Sequence, residues 1–419
     1  MKARLPDAVS RLQKAVPGRV GAIVGLVLLA AVVGLFLRSE DDDQPKVQEA
    51  GAQRTAERRT SFLARLIPPP PEATRPAGAG VPRSVSDLVK RIPTDRKVAQ
   101  LFLVGFRGTD LNAAVFRQLR RLDLGGLVID AGNYTDPQQL GSLAGEAIII
   151  SQQEKHVPPW VMAMQEGGDF NVFSDLPPAN VASDLPSVGA AVAEAEEAGS
   201  TLKPLGVSGL LAPVLDVGLA EDRAVGPRAY SDDPERVAGY ARGVVEAYRR
   251  RRLFTAAKHF PGLGSASQST EEGPANVGQS LDELRARDLV PFRAAIAAGV
   301  PGIVLSHGLY AVDDFVTPGS LSSKVATDLL REELKFKGVA ITDDLADPPI
   351  TALTSVPDAA VKAMEAGADM LYISGPAGDQ QAAYVAVLRA VRSGEITRTR
   401  LDQALLRILS AKRDYGLIR

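Results

Sequence analysis

The stretch LFTAAKHFPG, residues 253–262, is an apolar run that ends in a lysine and a histidine. The run from Leu253 to Ala257 is short and bounded by polar residues, which predicts a buried strand. Enzymes built on a β/α barrel keep their active site at the carboxyl ends of the strands. Lys258 and His259 therefore stand where such a barrel would hold a substrate.

A second apolar run, GVAIT at residues 338–342, predicts another strand and leads directly into Asp343 and Asp344. Carboxylates and a Lys-His pair at the ends of separate strands suit the binding of a polyhydroxylated ligand. They also suit carboxylate chemistry at a sugar carbon. The two runs together indicate a sugar-processing site.

Apolar runs alternate with amphipathic helical stretches from residue 85 to the end of the chain. This alternation predicts an α/β fold, and eight strands joined by crossovers fit a (β/α)8 barrel of the TIM type better than an open doubly wound sheet. No phosphate-binding glycine fingerprint follows the first strand, which weakens a dinucleotide-binding alternative. The predicted strands are residues 101–104, 126–129, 161–164, 209–214, 254–259, 303–307, 338–342 and 370–373.

The composition excludes several classes of protein. The 419 residues include no cysteine, so disulfides and thiolate zinc sites are impossible. Lys and Arg number 48 and Asp and Glu number 50, a balance that argues against a nucleic-acid partner. The three histidines are too dispersed for a metal motif. We predict neither a metal nor another cofactor.

Residues 20–37 carry no charge over eighteen residues, which is just long enough to span a bilayer. Basic residues precede this segment and acidic residues follow Arg38, so the positive-inside rule keeps the N-terminus in the cytoplasm. A cleaved signal peptide is the alternative, although no small-x-small cleavage site ends the segment. We expect a single-pass anchor in the cell membrane that carries an extracytoplasmic barrel.

Residues 38–84 are polar, charged and rich in proline, with four prolines at 68–71. Such a composition predicts a disordered and partly stiff linker. The chain thus divides into a cytoplasmic basic tail at 1–19, a transmembrane helix at 20–37, the linker at 38–84 and the barrel at 85–419. Protein partners cannot be inferred from these features.

Polar side chains follow other predicted strands as well. We expect Glu166 to brace its loop and His307 to form structural hydrogen bonds. Asp216 either caps a turn or serves the site. Asp344 and Asp347 are interpreted as scaffold or solvated carboxylates. Lys258 differs from these groups, because a buried lysine needs a carboxylate or a ligand as a partner.

The chain resembles glycoside hydrolase family 3, and within it the single-domain bacterial β-N-acetylhexosaminidases. The resemblance covers residues 85–418, and its most specific stretch is KHFPG at 258–262. Other matching stretches follow in the order of the family. They lie at residues 97–106, 125–127, 133, 165–168, 212–217, 228–234, 320–322, 338–345 and 366–370.

The resemblance implies a function for individual residues. Asp343 would attack the anomeric carbon and form a glycosyl-enzyme, so that the configuration is retained. Lys258 and His259 would hydrogen-bond sugar hydroxyls together with Arg228, and Lys and Arg suit this work because they donate several hydrogen bonds. The implied activity is hydrolysis of O-glycosyl bonds in cell-wall or other β-linked glycans, with a carbohydrate as the substrate.

The catalytic loop departs from the family pattern. Where the family has an acid/base histidine, this chain has Glu271, and we predict that Glu271 or Glu272 replaces it as a carboxylic acid/base. Two of the family's sugar-binding positions hold Met164 and Val172. The alternative is a catalytically impaired protein that binds glycan or acts as a scaffold on a degenerate barrel.

Overall fold

The computed structural model of the protein describes residues 82–419, and these residues form an α/β barrel. Eight parallel strands make one sheet in the order β10-β1-β2-β3-β4-β5-β7-β9, and a parallel bridge from Ile341 to Met370 joins its two ends. The predicted barrel is confirmed as a nearly closed, TIM-type sheet. The strands are β1 Phe102–Val104, β2 Gly126–Ile129, β3 Trp160–Ala163, β4 Gly209–Leu210, β5 Phe254–Phe260, β6 Asn276–Val277, β7 Gly302–Leu305, β8 Leu309–Tyr310, β9 Val339–Thr342 and β10 Leu371–Ile373.

All eight predicted strands correspond to barrel strands. The side chains of the observed barrel strands are buried throughout, because helices cover the outside of the sheet and side chains fill its interior. Strands β6 and β8 lie outside the barrel and pair with each other beside its carboxyl-terminal face. Both follow barrel strands, so they help to build the walls of that face.

Helices fill the crossovers between the strands. Their starts are encoded locally: Asp136, Ser187 and Asp233 each accept a hydrogen bond from an N–H of the helix that follows. The α-helices among the described residues are Arg83–Arg91, Thr94–Ala99, Ala114–Arg121, Pro137–Gln153, Val188–Leu202, Pro234–Arg250, Leu281–Ala286, Leu289–Ala297, Pro348–Thr351, Val356–Ala366, Ala377–Ser393 and Arg398–Asp414, and Lys324–Glu333 forms a π-helix.

The amino-terminal end of the barrel holds a buried ionic cluster. Asp369 accepts hydrogen bonds from Arg331 at 2.6 Å and Arg407 at 2.9 Å, and Arg400 lies 3.4 Å away. Burial alone would raise the pKa of Asp369, but the three guanidinium groups and an N–H from Ala340 hold it below its usual value. This cluster ties the π-helix and the last helix to the sheet at the end opposite the candidate site.

Residues 1–81 lie outside the described residues, and with them the predicted anchor at 20–37 and most of the predicted linker at 38–84. The first described helix begins at Arg83, two residues before the predicted start of the barrel domain. Between residues 82 and 419, no helix is both long and apolar enough to cross a membrane.

Candidate active site

Lys258 lies at the end of β5 and forms a buried ion pair with Glu166. Its Nζ is 2.5 Å from Oε1 of Glu166, and the two side chains are only 3% and 5% exposed. The other carboxylate oxygen of Glu166 is buried without a hydrogen bond. Lys258 therefore has the carboxylate partner that its burial requires.

Glu166 thus has a different role from the one predicted. We expected it to brace its loop, but Gln165 does so: its amide donates to the carbonyls of Phe173 and Leu176, and its oxygen accepts from the Phe173 N–H. The carboxylate of Glu166 is left to face Lys258. The need of a buried lysine for a carboxylate was the sequence signal for this pair.

His259 is held in one orientation by Asp216. The ring Nδ1 lies 2.7 Å from Asp216 Oδ2, and the same carboxylate accepts the backbone N–H of Leu263 at 2.7 Å. An aspartate accepts hydrogen bonds, so Nδ1 carries the proton that points to Asp216. Asp216 therefore serves the site: it fixes the tautomer of His259 and anchors the loop after β5.

Asp343 follows β9 and faces His259 across the mouth of the barrel. Its Oδ2 lies 4.0 Å from Nε2 of His259, and its Oδ1 accepts the N–H of Asp344 at 3.1 Å. Burial would raise the pKa of Asp343, but His259, His307 and Lys258 together with that N–H hold it below its usual value. The carboxylate is thus ionised at neutral pH, as a nucleophile must be.

The strand bearing Lys258 and His259 is irregular where it meets the site. The register between β5 and β7 shifts between Ala257 and Phe260. Such irregularities re-aim side chains next to active sites. At this shift, Lys258 points to Glu166 and the next residue, His259, points to Asp216.

His307 and Asp344 are structural, as predicted. The Nε2–H of His307 donates to the Asp344 carbonyl at 2.8 Å, so its Nδ1 accepts from the Ser320 hydroxyl at 2.8 Å. Burial lowers the pKa of His307. The Asp344 carboxylate accepts N–H groups from Ala346 and Ser374 and fixes the loop after β9.

The side chain of Arg228 lies near two carboxylates and donates a hydrogen bond to a backbone carbonyl. Its Nη1 lies 3.9 Å from Glu166 and 3.6 Å from Glu271, and its Nε donates to the Val225 carbonyl at 3.1 Å. The guanidinium also lies over the ring of Phe170, 5.5 Å from its centroid. Arg228 therefore joins the Lys258–Glu166 pair to the loop that carries Glu271.

The two glutamates proposed from the sequence as acid/base lie at the surface. Glu271 has 74% of its side chain exposed and pairs with Arg228, and Glu272 has 56% exposed and lies 3.6 Å from Arg223. The prediction for both remains untested by these contacts. Both side chains are more exposed than a catalytic acid usually is, so a more buried group of the site is the better place to look for that acid.

Asp347 was interpreted from the sequence as a scaffold or solvated carboxylate, but it lies among the charged groups of the site. It is half-buried in the loop after β9. Burial, followed by the charges of Asp343, Asp344 and Glu271, raises the pKa of its carboxyl to about 8, and Lys258 opposes the rise. The carboxylates of this mouth therefore divide into an ionised Asp343 and a protonated Asp347 at neutral pH.

An ionised carboxylate, a paired lysine and an oriented histidine at the carboxyl-terminal end of a (β/α)8 barrel define a glycosidase-type site. Residues 93–411 match the family model described as glycosyl hydrolase family 3 N terminal domain. The chain belongs to this family, and the predicted resemblance is confirmed.

Individual relatives agree with this class. The chain is 32% identical over 287 residues to a beta-hexosaminidase of Stenotrophomonas maltophilia strain K279a, which covers 66% of this chain and 84% of that protein. A beta-hexosaminidase of Methylococcus capsulatus is 33% identical over 258 residues, with 59% of this chain and 75% of that protein covered. The predicted class, a glycosidase that hydrolyses O-glycosyl bonds, is confirmed.

Solved structures show the same likeness. A family 3 beta-N-acetylglucosaminidase from Paenibacillus sp. FPU-7 superposes with a TM-score of 0.75 at 31% identity, over 78% of this chain and 63% of that one. The chain thus spans less than two thirds of that structure. A beta-N-acetylhexosaminidase from Beutenbergia cavernae superposes with a TM-score of 0.67 at 26% identity, over 77% of this chain and 99% of that one.

Proposed function

We propose that this protein is a retaining β-N-acetylhexosaminidase that acts on cell-wall or other β-linked glycans. The observation that carries the proposal is the ionised Asp343, which faces His259 at 4.0 Å beside the Lys258–Glu166 pair. Its carboxylate would attack the anomeric carbon to form a glycosyl-enzyme, which water would then hydrolyse with net retention. The names of the relatives support an amino sugar as the substrate.

Lys258 and His259 supply the hydrogen bonds that would orient the sugar. Lys258 has three donors and uses one of them on Glu166, so the others are available to hydroxyls. Nδ1 of His259 donates a hydrogen bond to Asp216, which leaves Nε2 to face the mouth of the barrel. Both groups are held by buried carboxylates and would bind a hydroxyl without first being ordered.

Met164 and Val172 are half-buried apolar side chains where the family resemblance implies polar sugar contacts. An apolar side chain cannot replace a hydrogen bond to a hydroxyl. We therefore expect a preference among sugars that differs from that of the relatives, with weaker discrimination at one or two hydroxyl groups.

A panel of nitrophenyl β-glycosides tests the proposal. We expect the full chain, purified in a mild detergent, to hydrolyse the β-N-acetylglucosaminide faster than the β-glucoside or β-xyloside, with a β-configured product seen by NMR at early times. Binding of chitooligosaccharides without turnover of any glycoside, at high enzyme concentration, would contradict hydrolysis and leave the glycan-binding alternative.

We also propose that residues 20–37 anchor the protein in the cell membrane and that the barrel is extracytoplasmic. The charge asymmetry around this segment supports the orientation. Protease added to intact cells should cut the linker at 38–84 and release the barrel. Full protection of the chain would contradict the orientation, and a secreted product beginning near Ser39 would instead indicate a signal peptide.

A further inference from the structure

Hydrolysis by Asp343 needs a proton donor for the leaving group. Catalytic acids hold their proton at neutral pH because they are partly buried or lie among like charges. Glu271 is 74% exposed with Arg228 beside it, and Glu272 is 56% exposed with Arg223 beside it. Neither glutamate therefore has the partly buried setting of an acid.

Asp347 has such a setting. Its N–H donates to the Asp344 carbonyl at 3.0 Å, so the chain makes a tight turn directly after Asp343. The carboxyl is half-buried there. Asp347 is thus a second carboxylic acid on the loop that carries the nucleophile.

The sequence Asp347-Pro348-Pro349 explains why this carboxyl is free. Asp347 occupies the N-cap of the short helix Pro348–Thr351, where an aspartate normally accepts an N–H from the second or third residue. The two prolines have no N–H, and the N–H of Ile350 donates to the backbone carbonyl of Asp347 at 3.1 Å. Its carboxyl therefore makes no capping bond.

Charged groups on three elements act on the carboxyl of Asp347. Asp343 and Asp344 belong to its own loop, Glu271 comes from the loop after β5, and Lys258 comes from β5 itself. Three negative groups against one cation disfavour a fourth negative charge. The separation of protonation states between Asp343 and Asp347 is the pattern that distinguishes a nucleophile from an acid in glycosidases.

We propose that Asp347 is the general acid/base of this site. As Asp343 attacks the anomeric carbon, the bond from that carbon to the glycosidic oxygen breaks and its electron pair passes to the leaving oxygen, which takes the proton of Asp347. In the second half-reaction the Asp347 carboxylate removes a proton from water, the water oxygen bonds to the anomeric carbon, and Asp343 departs. This inference rests on the proposed hydrolase function.

Leaving-group dependence tests the assignment. In the full chain, Asp347→Asn should reduce kcat/KM about 10²–10⁴-fold for a substrate with a poor leaving group, such as a chitobiose-type disaccharide. A dinitrophenyl glycoside should lose far less, because its leaving group needs little protonation. Azide should partly restore turnover of the dinitrophenyl substrate by attacking the glycosyl-enzyme without a base.

Two matched variants accompany this test. Asp282→Asn makes the same change on a side chain that is 93% exposed on another helix, and it should leave all rates unchanged. Glu271→Gln should lack the leaving-group dependence. If Glu271→Gln instead shows both the dependence and the azide rescue, while Asp347→Asn does not, Asp347 is not the acid.

The pH profile supplies an independent readout. For wild type, kcat/KM on the disaccharide should fall as the pH rises through about 8, where Asp347 loses its proton, and this limb should be absent from Asp347→Asn. A limb that persists in the variant would overturn the assignment.

Failure of the assignment can be distinguished from failure of the hydrolase function. Absence of wild-type turnover on every glycoside would contradict the hydrolase function itself. Azide rescue of Asp347→Asn separates a lost acid from a misfolded variant.

Discussion

Replacement of Asp343 by asparagine should reduce kcat/KM by at least about 10³-fold on every glycoside that the wild type hydrolyses. The amide keeps the shape of the side chain but lacks the negative charge that attacks the anomeric carbon. Asp343 also has an N–H donor from Asp344 that an amide oxygen can still accept, so the loop after β9 should survive. Steady-state kinetics on nitrophenyl and dinitrophenyl substrates measure the loss.

The same variant should still bind sugar, because Lys258 and His259 keep their own partners, Glu166 and Asp216. Calorimetry with N-acetylglucosamine or a chitooligosaccharide should therefore give a Kd within about tenfold of wild type, a change of about 1.4 kcal/mol or less. Activity that survives Asp343→Asn would contradict the nucleophile assignment. The surface variant Asp282→Asn controls for the change of a carboxylate to an amide.

Replacement of Lys258 by methionine should destabilise the fold by about 3–5 kcal/mol, because it leaves a buried carboxylate without its partner. Glu166 would keep only Arg228 at 3.9 Å, and one of its oxygens already lacks a hydrogen bond. Chemical denaturation monitored by fluorescence of Trp160 and by circular dichroism measures the free energy of unfolding. Glycan binding should weaken in the same variant.

A second change distinguishes the lost ion pair from lost packing. In Lys258→Met/Glu166→Gln the stranded charge is gone, so much of the stability should return while glycan binding stays weak. The control Lys324→Met alters a lysine that is 46% exposed and pairs with Asp313, and it should change the stability by less than about 1 kcal/mol. Wild-type stability in Lys258→Met would show that Glu166 does not depend on this lysine.

The barrel and the wall of the site could be predicted because each depends on local sequence. Apolar runs of strand length alternate with helical periodicity, and this pattern predicted the eight strands. The carboxyl ends of parallel barrel strands meet on one face, so Lys258, His259 and Asp343 had to lie together. The anchor at 20–37 remains a prediction that lies outside the described residues.

The pairing of charged groups could not be predicted, because it depends on distances across the barrel. Sequence order alone did not decide whether Lys258 would pair with Glu166 or with Asp216, whereas in the structure Lys258 pairs with Glu166 and His259 pairs with Asp216. Nor could position in the chain decide the acid. Glu271 stands in the place of the family's histidine but is exposed, whereas Asp347 is half-buried among carboxylates and followed by two prolines.

Covalent trapping tests the central claim, that Asp343 is the nucleophile of a retaining glycosidase. A fluorinated amino-sugar glycoside with a good leaving group slows hydrolysis of the glycosyl-enzyme, so the intermediate accumulates and its mass can be measured. We predict one added glycosyl unit per chain, located by peptide mapping at Asp343 and absent from Asp343→Asn. An adduct on another residue, or turnover of this reagent without any adduct, would contradict the claim.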